Sequence, residues 1–275
     1  MKKLTAFIKK NPAFTVFFIL MLLLVAAAVF APLIATHDPY EAVLSDAVQP
    51  PSAEHWFGTD RMGRDLFSRV IFGARTSLAA ALLLVAVIVV LGLVLGIIAG
   101  YFGGILDAVI MRLADMMISF PGMVLAIAVA GILGGGVVNA VIALSIVSWT
   151  KYARLSRSLV LKIYNRDYIA AARVTGSTTR HILWKYMLPN ALPTILITGA
   201  TDIGSMMLEI AGLSFLGFGA KPPTAEWGYM LNEGRAYITA APWLMIFPGL
   251  AIFITVVIFN LLGDSLRDVL DPRNE

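Results

Sequence analysis

Cysteine is absent from the 275 residues of the chain, and charged side chains make up only 14% of them. Without cysteine the chain can form neither a disulfide framework nor a thiolate metal site, and it has no thiol nucleophile. A soluble domain usually carries charge on about a quarter of its residues. The low charge, together with a hydrophobic share of 59%, indicates that most of the surface faces something other than water.

The sequence also lacks the features of an enzyme. No Gly-x-x-x-x-Gly-Lys-Ser/Thr phosphate loop occurs, and the glycine triplet 134–136 has no lysine after it, so it is interpreted as a turn. A membrane enzyme needs a cluster of titratable groups, whereas the apolar runs contain only Asp202 and Glu209. We therefore predict no catalytic residue, no metal site and no cofactor bound by this chain.

Five apolar runs dominate the sequence, and each is long enough to cross a bilayer, which takes about 20 residues. Four contain no charged residue, and the fifth contains only Asp202 and Glu209. The first run is too long for a secretory signal and is followed by four others, so we interpret it as an uncleaved span. The runs cover residues 13–36, 77–100, 116–150, 191–220 and 242–263.

The run 116–150 is predicted to form two helices rather than one. It has 35 residues. As a single helix it would extend about 52 Å, well beyond a hydrocarbon core of about 30 Å. Gly131 and the triplet 134–136 lie in its middle, where a turn costs little because glycine adopts conformations that other residues avoid. The prediction is therefore an all-α, polytopic membrane protein with six transmembrane helices.

The distribution of Lys and Arg supports this count independently. Residues 151–190 carry eight basic side chains against one acid, and the amino end carries Lys2, Lys3, Lys9 and Lys10. Because basic segments remain on the cytoplasmic side, an even number of spans must lie between the amino end and residues 151–190. A total of six spans places four between them, whereas a total of five places three.

The topology divides the chain into three parts. Residues 1–76 hold the cytoplasmic amino end, the first span and an external segment. Residues 77–263 form a five-helix core, with a cytoplasmic loop at 157–190 and an external segment at 221–241. Residues 264–275 are a tail that returns to the cytoplasm, so both termini are expected on the cytoplasmic side.

The cytoplasmic loop is predicted to hold two short helices joined at a glycine. Residues 168–176 are interpreted as a helix ended by its glycine, which can adopt the left-handed capping conformation. Ser177 or Thr178 can then cap a second helix, 179–187, which Pro189 ends. The first helix presents small alanine side chains that allow close approach of another backbone. We interpret the pair as a lever that docks onto a cytoplasmic partner.

Two other interpretations compete for this loop. A basic helix-turn-helix is typical of DNA binding, but a loop of 40 residues held at the membrane at both ends disfavours it. No nucleic-acid partner is therefore predicted. An amphipathic helix lying on anionic lipid is the stronger alternative.

The residues of this loop resemble the signature loop of bacterial ABC importer permeases. The match falls on Ala171, Ala172, Gly176, Leu188 and Pro189. Two positions depart from the family pattern: Ala170, where glutamate is usual, and Tyr186, where isoleucine is usual. The resemblance implies that the loop carries the coupling helix that sits in a cleft of the ATPase subunit. The coupling residues are then Ala170, Ala171, Ala172, Gly176, Leu188 and Pro189.

Three further motifs are similar to the dipeptide/oligopeptide/nickel permease family, as its C-type subunit. They lie at residues 57–78, 213–231 and 260–273, in the order and spacing of that family. The resemblance implies the type I ABC importer permease fold in a bacterial plasma (inner) membrane. It also implies a sister permease subunit, two cytoplasmic ATPase subunits that bind ATP and Mg²⁺, and an extracytoplasmic substrate-binding protein.

Two acids within the fifth apolar run are the candidates for contact with the substrate. Asp202 and Glu209 are seven residues apart and share one helix face with Ser205 and Met206. An acid at mid-span costs about 2.5–3.5 kcal/mol on insertion scales, so this face is expected to meet water or protein rather than lipid. Two interpretations stay open: an acidic translocation pathway suited to a cation, and a buried acid bonded to the sister permease.

The cargo predicted from the resemblance is nickel or a nickel chelate. Residues 201–208 and 223–228 look closer to nickel and metallophore permeases than to dipeptide permeases, and Asp202 is the more informative acid. Import of dipeptides or oligopeptides is the alternative. His37 and His55 can supply imidazole donors on the external side, but both are interpreted as ordinary surface residues.

Charged residues at the inner end of the third span are interpreted as structural. Asp107 and Asp115 flank Arg112 at distances along the chain that suit helical neighbours. We expect both acids to pair with that arginine rather than to contact the substrate.

Overall fold

The protein is described by a computed structural model that covers residues 10–270. Lys2, Lys3 and Lys9, which support the predicted topology, and residues 271–275 of the predicted tail lie outside the described residues. Within 10–270 the chain forms helices joined by turns and loops, and it contains no β-strand. The helices are α1 (Pro12–Val29), α2 (Ala31–Ile34), α3 (Leu66–Phe102), α4 (Gly104–Ile118), α5 (Gly122–Leu133), α6 (Val137–Tyr164), α7 (Asp167–Val174), α8 (Thr179–Ile182), α9 (Leu188–Phe215), α10 (Trp227–Gly234) and α11 (Trp243–Leu270).

Within residues 10–270, four helical segments are long and apolar enough to cross a membrane. They are α1, α3, α11 and the continuous unit Thr179–Phe215, in which a π-helical turn (Leu183–Met187) joins α8 to α9. A fifth is the pair α4 and α5, whose axes meet at 95°. α6 has 28 residues, and its first half is uncharged as far as Lys151. The described helices are therefore compatible with the six predicted spans.

The division of the run 116–150 into two helices is confirmed. α5 and α6 are separate, and in the turn between them Gly134 has a φ of +79° and Gly136 a φ of +149°. A second break, which the sequence analysis did not predict, separates α4 from α5 at Pro121. Proline has no N–H with which to continue a helix. The third span is consequently a bent pair rather than a straight helix.

α3 and α6 form the most extensive helix contact of the described chain. Gly92, Gly96 and Gly100 follow one another at four-residue intervals on α3. A Cβ at any of them would lie 2.3–2.9 Å from the nearest atom of α6, between Tyr152 and Val160. Small residues at this spacing let two helices approach at backbone distance inside a membrane. These glycines therefore determine how closely α6 lies against α3.

α9 packs between α3 and α11. A Cβ at Gly204 would lie 2.4 Å from the Asn260 side chain of α11, and a Cβ at Gly263 of α11 would lie 2.6 Å from Thr201. Packing of this kind on two sides determines which way the polar face of α9 points. The interior around these contacts is aliphatic and includes Leu84, Ile88, Leu144, Ile195 and Ile210.

Residues 36–65 and 221–241 cover the end of the bundle at which α3 begins, and we call them the cap. α10 lies within the cap. The Trp227 indole N–H donates a hydrogen bond to the backbone oxygen of Val70 at 2.8 Å, and its ring lies against Gly73. α7 and α8 lie at the opposite end of α3 and α6. The cap and the predicted cytoplasmic loop are thus separated by the length of the bundle.

Candidate functional site

The first candidate site is the coupling segment, residues 157–190. α7 corresponds to the predicted first helix, and Gly176 follows it with a φ of +81°. A Cβ at Gly176 would meet no atom within 4 Å. The Thr178 side chain accepts a hydrogen bond from the backbone N–H of His181 at 3.3 Å and so caps α8. The bent helix pair is confirmed, and Thr178 rather than Ser177 is the capping residue.

A small buried cluster holds these helices against the end of α6. Ile169 of α7, Ile182 of α8 and Met187 are each at most 1% exposed. The guanidinium carbon of Arg173 lies 3.9 Å from the centre of the Tyr164 ring, a cation–π contact that also joins α7 to α6. The coupling segment is therefore attached to α6 by its buried side and to α9 through the continuous chain.

The predicted coupling residues are partly exposed and partly buried. Exposed residues of this set are Ala170, Ala171, Gly176 and Pro189. Leu188 is half-buried, and Ala172 is only 6% exposed. Large apolar side chains project beside the exposed positions: Val174 is 89% exposed and Trp184 is 66% exposed. Exposed apolar surface of this kind suits a protein partner, and the coupling role of the six residues stays a prediction.

The prediction that Pro189 ends the second helix is wrong. The chain passes from α8 through the π-helical turn into α9 without leaving the helical conformation. Pro189 lies in the first turn of α9, where the wider π turn has already interrupted the regular hydrogen bonding, so its missing N–H is tolerated. The coupling segment is consequently continuous with the helix that carries Asp202 and Glu209.

The second candidate site is the polar face of α9, where Asp202 has partners within this chain. Its two carboxylate oxygens lie 2.8 and 2.7 Å from Lys151 Nζ, and one accepts a hydrogen bond from the Tyr152 hydroxyl at 2.7 Å. Asp202 is 9% exposed, whereas the Lys151 side chain is 59% exposed. Lys151 thus neutralises Asp202, and neither of the two open interpretations included this pair. The only signal for Lys151 in the sequence is its position directly after a long uncharged run.

The rest of the predicted pathway face is more open. Ser205 is exposed, and Met206 and Glu209 are half-buried. In the part of the chain that the structure describes, Glu209 has neither a hydrogen bond nor an ion pair. Seven residues correspond to about 10.5 Å along a helix, so the two acids share a face but lie at different heights. Contact of these residues with a substrate stays a prediction.

The acids of the third span pair with another helix. Arg157 of α6 donates to Asp107 at 2.6 Å, and Arg154 of α6 donates to Asp115 at 2.6 Å. The prediction that both acids pair with Arg112 is therefore wrong. Spacing along one helix identifies neighbours on that helix, whereas these arginines are placed by the packing of α6 beside α4.

A network of buried charges lies in the cap, and the sequence analysis did not single it out. Arg64 donates to Glu233 of α10 at 3.0 Å and to Asp60 at 2.6 Å, and Arg69 donates to Glu233 at 3.2 Å. All four side chains are at most 8% exposed. Buried charges need such partners because desolvation of an unpaired ion is unfavourable. The network therefore ties α10 and the loop before α3 into one unit.

Glu226 determines where α10 begins. Its carboxylate accepts hydrogen bonds from the backbone N–H groups of Gly228 at 2.9 Å and Tyr229 at 2.8 Å, and from the Ser77 hydroxyl of α3 at 3.3 Å. Burial raises the pKa of Glu226 above its usual value, although these hydrogen bonds act in the other direction. α10 is thus joined to α3 by a capping side chain as well as by ion pairs.

The fold has counterparts among solved structures. The structure of inward-facing conformations of the MetNI methionine ABC transporter matches with a TM-score of 0.60 and 20% sequence identity. The match covers 74% of this chain and 97% of that chain. The class defined by this likeness is the fold of an ABC importer permease, and the predicted all-α fold class is confirmed.

Sequence comparison identifies the family within this class. Residues 92–275 match the family described as the binding-protein-dependent transport system inner membrane component. Residues 7–51 match the N-terminal TM domain of oligopeptide transport permease C. The chain belongs to the family of binding-protein-dependent transport system inner membrane components, as its motifs predicted.

Three relatives with different cargoes in their names are similar over most of their length. The glutathione transport system permease protein GsiD of Escherichia coli O6:K15:H31 (strain 536 / UPEC) is 46% identical, over 92% of this chain and 84% of the relative. The probable D,D-dipeptide transport system permease protein DdpC of Escherichia coli (strain K12) is 42% identical, over 98% and 91%. The nickel transport system permease protein NikC of the same strain is 41% identical, over 86% of each.

These findings establish what kind of protein the chain is. It is the permease subunit of an ABC importer and a multi-pass protein of the inner membrane. It is not an enzyme, because ATP hydrolysis in such importers resides on separate subunits. A permease of this kind works with ATPase and substrate-binding partners. The relatives carry three different cargoes in their names, so the predicted nickel cargo is not decided by them.

Proposed function

We propose that this permease carries short peptides across the inner membrane, with nickel or a nickel chelate as the second candidate. The observation that carries the proposal is the engagement of Asp202 by Lys151 and Tyr152. The nickel prediction came from the resemblance of residues 201–208 and 223–228, and the acidic face with Asp202 was one interpretation that suited a cation. Because Lys151 balances the charge of Asp202, that face gives less support to a cationic cargo.

The charged groups at the α9 face suit a zwitterionic cargo. A short peptide carries one ammonium and one carboxylate group at neutral pH. Lys151 and Asp202 form a balanced pair, and Glu209 forms no ion pair in the described residues. Glu209 can therefore accept the ammonium group of a peptide, and the Lys151 ammonium, which is more than half exposed, can still donate to the peptide carboxylate. The names of the glutathione and D,D-dipeptide relatives also support a peptide-like cargo.

Nickel is the second candidate because two observations favour it. The nickel permease NikC is 41% identical to this chain. The half-buried Glu209 carboxylate and the Met206 thioether lie on one face of α9, and carboxylate and thioether groups can both bind a transition metal. These groups could hold a metal ion or its chelate transiently as it passes.

The proposal includes the assembly and orientation of the subunit. The chain pairs with a sister permease, and its coupling segment contacts one of two ATPase subunits; those subunits, and not the permease, bind ATP and Mg²⁺. The exposed side chains of Val174 and Trp184 support this contact. Both termini lie in the cytoplasm, and the cap faces the substrate-binding protein on the opposite side.

Uptake by cells that express the complete importer tests the cargo. Labelled dipeptide is compared with labelled nickel, free and chelated, each with and without an excess of the other unlabelled compound. We expect ATP-dependent dipeptide uptake that excess nickel does not suppress. Nickel uptake that excess dipeptide leaves unchanged would contradict the proposal and favour the second candidate.

Variants of the charge pair test whether the α9 face acts on the cargo. Asp202→Asn leaves the Lys151 ammonium unbalanced, whereas combining it with Lys151→Met removes both charges. We expect the uptake of a lysine-containing dipeptide, relative to a neutral one, to fall about fivefold in Asp202→Asn, which corresponds to about 1 kcal/mol. The double variant should restore the ratio. An unchanged ratio in both variants would assign the pair a structural role only.

A further inference from the structure

Two histidines and one aspartate from separate parts of the cap region converge on one point. His37 follows α2, His55 lies in the loop before α3, and Asp65 is the N-cap residue of α3. Their donor atoms all lie within 4.8 Å of one another. We propose that these residues form a binding site for a divalent first-row transition metal ion.

The distances are close to those of a metal site. His55 Nδ1 lies 2.9 Å and His37 Nδ1 3.8 Å from the same atom, Asp65 Oδ1. Ligand atoms placed about 2.1 Å from a tetrahedral zinc ion are about 3.4 Å apart. The two measured distances lie on either side of this value. A small shift of the exposed His37 ring therefore completes the ligand set.

Neighbouring groups orient the ligands before a metal binds. Asp65 Oδ2 accepts a hydrogen bond from the backbone N–H of Ser68 at 2.7 Å and one from the Thr36 hydroxyl at 3.4 Å. This leaves Oδ1 for the histidines. The backbone N–H of His37 donates to Ser68 Oγ at 3.0 Å. The Thr36 hydroxyl lies 3.0 Å from His37 Nδ1 and gives up this contact when that nitrogen binds a metal. Hydrogen bonds of this outer shell are what fix ligand orientation in metal sites.

Charge and burial favour a cation at this point. Asp65 is 2% exposed and His55 is 7% exposed, while the His37 side chain is open to solvent. Within residues 10–270, Asp65 forms no ion pair with lysine or arginine. The negative charge of Asp65 can be balanced by the partial positive charge at the amino-terminal end of α3, by a protonated histidine or by a bound cation. Buried charges in proteins are paired or coordinate metals, and the His37 side supplies the entry path.

The donor atoms select the class of ion. Imidazole nitrogen suits Zn²⁺, Ni²⁺, Cu²⁺ and Fe²⁺, whereas Mg²⁺ and Ca²⁺ prefer oxygen ligands throughout. A set of three protein ligands leaves a position for water or for a chelating molecule. A bound metal would replace the Nδ1 proton that His55 donates to Asp65. The site lies away from the α9 face, so the inference does not depend on which cargo the importer carries.

Zn²⁺ binding to the purified importer complex tests this inference. Equilibrium dialysis measures the number and affinity of bound zinc ions, and Co²⁺ absorption in the visible range reports coordination by the site. His37→Asn is the main variant because its side chain is exposed, and Asp65→Asn keeps a capping oxygen for α3. His181 is the third and last histidine of the chain and lies in the coupling segment, so His181→Asn is the matched control.

We expect the wild-type complex to bind one more Zn²⁺ than the His37→Asn and Asp65→Asn complexes. If the variants still bind this ion, their affinity should be lower by about tenfold or more. The Co²⁺ absorption should be lost in the same two variants and retained in His181→Asn. Equal zinc binding by the wild type and His37→Asn overturns the inference.

Discussion

The two ends of the helix bundle are built in opposite ways. In the cap, charged side chains are buried and paired, and Glu233 accepts hydrogen bonds from the three arginines Arg61, Arg64 and Arg69. In the coupling segment only a small cluster is buried, and large apolar side chains such as Trp184 remain exposed. The cap is satisfied within a single chain, whereas the coupling segment presents a surface that another protein can cover.

Buried charged groups stabilise the folded chain itself, whereas exposed apolar groups stabilise its complex with other proteins. A buried ion requires its partner in the same folded unit, because removing one member of a buried pair leaves an uncompensated charge. Exposed apolar surface adds nothing to the stability of the isolated chain, but it supplies free energy when a partner binds. The cap is therefore expected to respond to substitution through folding, and the coupling segment through assembly and transport.

The largest expected effect is on the stability of the cap. Glu233→Gln leaves the buried Arg64 and Arg69 with only one of their two shared carboxylates, that of Asp60, which should lower the free energy of unfolding by about 3 kcal/mol. Thermal unfolding of the purified permease in detergent measures this change. Glu54→Gln is the matched control, because Glu54 is an exposed acid of the same region and should change stability by about 0.5 kcal/mol or less. Equal unfolding temperatures for both variants would show that the network does not stabilise the cap.

The second effect concerns two glycines that share a positive φ at different places. Gly176 in the coupling segment and Gly134 between α5 and α6 have φ of +81° and +79°, and a Cβ at either would meet no atom within 4 Å. Valine at either position therefore introduces backbone strain of about 1–3 kcal/mol, and at Gly134, whose ψ is 165°, the strain is at least as large as at Gly176. We expect Gly176→Val to abolish uptake while the protein remains in the membrane, and Gly134→Val to retain uptake.

ATP-driven uptake and the amount of permease in isolated membranes are measured for both variants. Retained uptake in Gly134→Val would show that strain at a glycine of positive φ does not by itself abolish transport. Normal uptake by Gly176→Val would eliminate the proposed docking role of the coupling segment. Loss of uptake in both variants would attribute the effect to strain alone.

The smallest effect on stability, and a selective effect on assembly, is expected for an exposed tryptophan. Trp184 in the coupling segment is 66% exposed and Trp56 in the cap is 54% exposed. Trp184→Ala should change the free energy of unfolding by about 0.5 kcal/mol or less and weaken binding of the ATPase by about 2 kcal/mol. Co-purification of the ATPase subunit measures this difference. Trp56→Ala is the control; an equal loss of ATPase in both variants would mean that the contact is not specific to the coupling segment.

Much of the fold was predictable because its signals are local. The turn at 134–136, the left-handed Gly176 and the Thr178 cap follow from the preferences of single residues, and all are confirmed. The predicted helix end at Pro189 is wrong because proline is tolerated where a π turn has already interrupted the hydrogen bonding. Such a turn has no simple sequence pattern. The bend between α4 and α5 was missed although Pro121 marks it.

The candidate site was less predictable because its partners come from other helices. Lys151 and Asp202 are 51 residues apart in sequence, yet their side chains are in contact. Spacing along α9 correctly places Asp202 and Glu209 on one face, but it does not reveal that α6 covers only one of them. His37 and His55, interpreted as ordinary surface residues, lie beside Asp65 for the same reason.

By itself the sequence determined the class of the protein. Hydropathy, the placement of lysine and arginine, and the resemblance of its motifs are properties of short segments, and together they identified a helical membrane permease. Only the tertiary structure decided which charges are balanced and which donor atoms meet. These depend on distances between helices, which are set where small residues such as Gly92, Gly96 and Gly100 let one backbone approach another. Packing at such contacts, rather than any local pattern, brings distant side chains within reach of each other.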